Sequence, residues 1–131
     1  MTTPGTLSIS RVMIFARDAR KVAEFYRDKL GLAVRGEIGD GWAELQAGGC
    51  DIAIHGGMKK GTKERGPGSM NMKVVFGCRD VAKKRDELIA MGVTMFKLSE
   101  FPHETKDLMV QICDGEDPEG NLFQISNRNS L

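Results

Sequence analysis

The sequence lacks any real imbalance of charge: nineteen Lys and Arg against eighteen Asp and Glu leave a formal net charge of +1 over 131 residues. That excludes the basic surplus of a nucleic-acid-binding protein and leaves no acidic tail. Cysteine is scarce and badly spaced. Cys50, Cys78 and Cys113 are odd in number and form no Cys-x-x-Cys pair, which argues against a disulfide framework and against a structural zinc site. No stretch reaches the ~20 apolar residues of a membrane span, and the opening MTTPGTLSIS has no basic segment followed by an apolar run. A cytoplasmic protein with neither membrane nor nucleic-acid partners is expected. Also absent are Gly-x-Ser-x-Gly, the phosphate-cradling Gly-x-x-x-x-Gly-Lys-Ser/Thr and Gly-x-Gly-x-x-Gly, so the nucleophile elbow, the P-loop and the dinucleotide fingerprint are all missing.

What is present is a repeat. RVMIFARDARKVAEFYRDKLGL (11–32) and KVVFGCRDVAKKRDELIAMGV (73–93) share a cation, an apolar strand, Arg-Asp, an amphipathic stretch and a Gly. Val12, Ile14 and Ala16 alternate with Arg11, Met13, Phe15 and Arg17, the period of a half-buried strand. Asp18 is placed to cap a helix whose apolar face holds Val22, Phe25, Tyr26 and Leu30, with Gly31 as its stop. Asp80, Leu88, Ile89 and Gly92 repeat that logic. After each helix come three apolar runs: LAVRGEI, GWAELQA and CDIAIHG, then VTMFKL, LMVQICD and NLFQIS. Each half therefore reads β-α-β-β-β, an α+β arrangement. A chain of this length supports one domain with a single core. Module one is expected at about 8–55, a Gly-rich cationic linker or lid at 56–69 and module two at about 70–127. The turn Asp117-Pro118-Glu119-Gly120-Asn121 feeds the last strand, with Gly120 free to take a positive φ.

The duplicated unit, the phrase EFYRDKLGL in the first helix and DPEGNLFQI at the last strand resemble the vicinal oxygen chelate superfamily, the group of glyoxalase I, extradiol dioxygenases, bleomycin-resistance proteins and fosfomycin-resistance enzymes. The resemblance covers about residues 8–127 and is specific to the fold more than to the reaction. It implies a strongly curved mixed sheet forming a cup, with the helices outside. It also implies four strand-borne His or Glu ligands around a divalent ion, which would act as Lewis acid or redox centre.

At the positions matching those ligands the sequence carries Arg11, Lys73 and Gln124; Ile54 or a neighbour takes the remaining place, with His55 close by. Arginine and protonated lysine have no lone pair to give and repel a cation, and an amide is a poor ligand for a divalent ion. The expectation is therefore no metal and no cofactor. Both cations could instead lie at strand ends with stems on apolar surface and heads in water. If they face the cup, they favour an anionic or strongly polar ligand, with Met13, Phe15 and Trp42 packing its body and Glu44, His55 and Gln124 completing the site. His103 falls in SEFPHETKD, which reads as a loop. Glu104, Asp107, Asp114, Glu116 and Asp117 lack calcium-loop spacing and read as solvated acidic turns.

The expected function is small-molecule binding like that of bleomycin-resistance proteins. The alternative is a lyase or dioxygenase of the same superfamily with a divalent metal relocated near Glu44 and His55, or with a metal-free acid-base site. Family members commonly pair, and an exposed edge strand needs cover, so a homodimer is expected.

Overall fold

The structure, a computed structural model, describes Ile9, residues 11–56 and residues 73–131. The expected linker or lid at 56–69 therefore lies outside the described residues, apart from Gly56. The chain divides into two compact units, Met1–Thr62 and Lys63–Leu131. Each carries one copy of the repeat.

Unit 1 runs β1 (Arg11–Phe15), α1 (Ala19–Asp28), β2 (Ala33–Val34), β3 (Trp42–Gln46) and β4 (Asp51–His55), with the sheet ordered β1-β4-β3-β2. The first strand thus pairs parallel with the last, and the others pair antiparallel. Asp18 caps α1 by accepting from the Lys21 backbone N–H at 3.0 Å. Gly31, at φ 76°, turns the chain out of the helix so that the Leu32 N–H donates to the Tyr26 carbonyl at 3.0 Å. The apolar stripe of α1 buries Ala19, Val22, Ala23 and Tyr26 against β3 and β4, where Ala43, Leu45, Ile52 and Ile54 are equally inaccessible. Only Ala33–Val34 of the run LAVRGEI joins the sheet, because Gly36 takes a φ of 81° and bends the backbone away.

Unit 2 runs β5 (Val74–Gly77), α2 (Val81–Ala90), β6 (Thr94–Pro102), β7 (Met109–Glu116), β8 (Leu122–Ser126) and a 3-10 turn at Arg128–Ser130, with the sheet ordered β5-β8-β7-β6. The parallel closure of first strand on last recurs in β5 and β8. Asp80 repeats the cap, accepting from the Lys83 N–H at 3.0 Å. Strand β6 extends through Pro102, so SEFP of the expected loop is strand and only His103 onward is loop. Pairing with β7 holds those residues in place, Pro102 lying opposite Met109. Between Met95 and Leu98 the register slips, and the bulge frees the Phe96 carbonyl to accept from Arg85 Nε at 2.8 Å and from the Cys113 thiol at 3.2 Å.

Candidate functional site

Residues opposite one another in a ladder share a sheet face. Three such rows cross β1, β4 and β3 on the face of unit 1 turned away from α1: Phe15–His55–Trp42, Met13–Ala53–Glu44 and Arg11–Asp51–Gln46. Six of the expected site residues, Arg11, Met13, Phe15, Trp42, Glu44 and His55, therefore stand on one face. The register also shows which β4 side chain turns to this face. Ala53 sits beside Met13, whereas Ile54 is buried against the helix layer. Neither apolar side chain signalled its face in the sequence.

Arg11 does not stay in its own row. Its guanidinium comes within 3.7 Å of Glu44 and lies 6.0 Å from the Trp42 ring centroid, both on β3. The small side chain of Ala53, which has no exposed surface, lets the arginine stem lie across β4. Arg35 and Asp51 were missed in the sequence and complete the charge network: Arg35 Nε and Nη2 donate to the two Asp51 oxygens at 2.7 and 3.1 Å. Those bonds, followed by a hydrogen bond with the Glu44 carboxyl, hold the Asp51 carboxyl below its ordinary range. The rings of the first row touch in sequence. Phe15 and His55 centroids are 5.5 Å apart, and Trp42 meets His55 at 6.1 Å in a T-shaped contact. His55 Nδ1 lies 2.6 Å from the Gly56 carbonyl oxygen.

Unit 2 repeats the charge device on the face away from α2. Val75, Gln124 and Asp114 form one row, equivalent by the repeat to Met13, Ala53 and Glu44. Lys73, just before β5, donates from Nζ to both Asp114 oxygens at 3.0 and 2.9 Å, and Gln124 Nε2 donates to the same carboxylate at 3.0 Å. In each unit a cation at the start of the first strand thus meets a carboxylate on the third. Asp114 is a strand residue in an ion pair, not part of a solvated turn as the acidic run suggested. On the same face a cleft of about 330 Å³ is lined by Val75, Phe101, Ile112, Gln124, Ser126 and Arg128, among others. Arg128 stands 5.7 Å from the Phe101 ring centroid and donates to Glu104 at 2.9 Å. That bond is the main cause of a Glu104 pKa lowered to about 2.

The thiols belong to other layers. Burial raises the Cys113 and Cys78 pKa values above the ordinary thiol value, which disfavours the thiolate needed of a nucleophile. Among the described residues no group of three or more His, Cys, Asp and Glu is arranged to hold a metal ion, and no helix is long and apolar enough to cross a membrane.

This architecture has known counterparts. A lactoylglutathione lyase from Agrobacterium tumefaciens superposes with a TM-score of 0.69 at 15% identity, covering 93% of this chain and 94% of that one. A glyoxalase/bleomycin resistance protein/dioxygenase from Alicyclobacillus acidocaldarius gives 0.66 at 21% identity, covering 96% and 93%. In sequence the chain is 26% identical over 129 residues to the uncharacterized protein YraH of Bacillus subtilis (strain 168), covering 91% of this chain and 97% of that protein. The family model for the Glyoxalase/Bleomycin resistance protein/Dioxygenase superfamily matches residues 8–125, and the chain belongs to that superfamily.

Proposed function

We propose that the protein binds a small anionic or strongly polar organic molecule through Arg11, on the face of unit 1 away from α1. The observation carrying this reading is the looseness of the Arg11 pair. At 3.7 Å from Glu44 the guanidinium is beyond direct hydrogen-bond distance, and its side chain is 45% exposed, so its N–H fork has donors to spare for a carboxylate or phosphate. Lys73 differs, because both Asp114 oxygens already engage its ammonium.

The superfamily's divalent ion fits these residues poorly. The matching positions hold Arg11, Ala53, Lys73 and Gln124; two are cations, one has no donor atom, and only the Gln124 amide oxygen could coordinate. Binding without a metal is the reading this donor set supports.

A thermal-shift screen of carboxylates and phosphorylated compounds tests the proposal. A ligand at ~100 times its dissociation constant is expected to stabilise the wild type by about 2.7 kcal/mol, and Arg11→Ala by much less at the same concentration. An identical response in the two proteins, or no stabilising anion, sinks it.

The assembly proposed is a homodimer. Strand β1 is one of the two outer strands of its sheet, and a second copy would cover such an edge. Light scattering at micromolar concentration is expected to give twice the monomer mass; the monomer mass would exclude the dimer.

A further inference from the structure

The ring row of unit 1 holds a more specific instruction than charge alone. A carbonyl oxygen can only accept, so the 2.6 Å contact to Gly56 assigns the proton of the neutral His55 ring to Nδ1. Nε2 then carries the lone pair, and the flanking rings of Phe15 and Trp42 come from the neighbouring strands. These rings are far from covered: Phe15 is 46% exposed and Trp42 37%. Aromatic faces attract flat π-systems and cations. A cation is disfavoured here, since the Arg11 guanidinium already stands 6.0 Å from the Trp42 centroid. The same guanidinium complements a negative charge at one edge of the ligand.

Building on the anion-binding role of Arg11, we propose that this face takes a flat aromatic carboxylate bearing a ring hydroxyl. The aromatic body lies against Phe15 and Trp42, the hydroxyl donates to His55 Nε2, and the carboxylate is held by Arg11. The hydroxyl finds a partner because the tautomer leaves an acceptor, not a donor, among the rings.

Trp42 is the one tryptophan of the chain, so its fluorescence reports on this face directly, with calorimetry as a second readout. The probes are 4-hydroxybenzoate, benzoate, cyclohexanecarboxylate and phenol. The first is expected to bind tightest, with benzoate about fivefold weaker for want of one hydrogen bond. Cyclohexanecarboxylate, which keeps the charge and loses the flat ring, should be at least ~tenfold weaker than benzoate. His55→Phe keeps a ring and removes the lone pair, so 4-hydroxybenzoate and benzoate should bind it equally. Phe15→Leu should weaken both aromatic acids together.

Equal binding of benzoate and cyclohexanecarboxylate overturns the platform while leaving the anion site standing. Binding of phenol in the absence of any carboxylate binding overturns the anion site and the proposed ligand class with it. Retention of the hydroxyl preference in His55→Phe overturns the role of Nε2. A Trp42 signal that changes on dilution alone, with no response to any probe, means that a second copy covers the face, and the proposal fails.

Discussion

Phe123→Ala is expected to cost about 3–5 kcal/mol, the range for emptying a large aromatic site in a packed core. The ring is wholly inaccessible and meets Phe76 edge-on at a centroid distance of 6.1 Å. Its facing position on β7 is Gly115, where a Cβ would lie 2.7 Å from Phe123 Cζ and 2.5 Å from Met95 Sδ. The glycine is what gives the ring its space, and Phe123 fills that space from a strand paired on both edges, so the backbone has little freedom to collapse into the void. Urea unfolding, followed by circular dichroism, measures the loss. A change under ~1 kcal/mol would mean the ring is not packed as described.

Asp117→Ala is expected to cost about 3 kcal/mol, from a different source. Asp117 is 4% exposed and Asn121 1%. One Asp117 oxygen accepts from the Glu119 and Asn121 backbone N–H groups at 2.9 and 3.0 Å, and the Asn121 amide donates to both oxygens at 3.1 and 2.9 Å. Removing the carboxylate strands several donors, each costing roughly 1–3 kcal/mol where water cannot replace the partner. Asp117→Asn restores one acceptor and should recover part of the loss. An alanine variant as stable as the wild type in the same urea titration would show that water satisfies the turn.

The parts of the fold legible in the sequence are those governed by neighbours along the chain. Asp18 and Asp80 cap helices because a carboxylate three residues before an N–H reaches it without help from elsewhere. The alternation of β1 told which side chains share a face. The length of β6 was not legible, since SEFP has no strong strand pattern and is held by pairing to β7. The register of β4 was hidden because Ala53 and Ile54 are both apolar. The ion pair of Lys73 with Asp114 depends on a partner 41 residues away, which no local pattern reveals. Arg35 and Asp51 escaped for the same reason, a pair formed between the residue that follows β2 and the first residue of β4, 16 positions apart.

The parallel pairing of first strand with last in each unit also orders how the chain acquires its structure. A hairpin such as β3–β4 can close as soon as its own residues are available, but β1 finds its ladder partner only when β4 arrives, and β5 waits for β8. Until then the apolar sides of β1 and β5 have only helix and solvent for company, and loop-closure entropy opposes the docking step. Because each closure is internal to its own unit, the first can finish during synthesis while the ribosome is still adding the second.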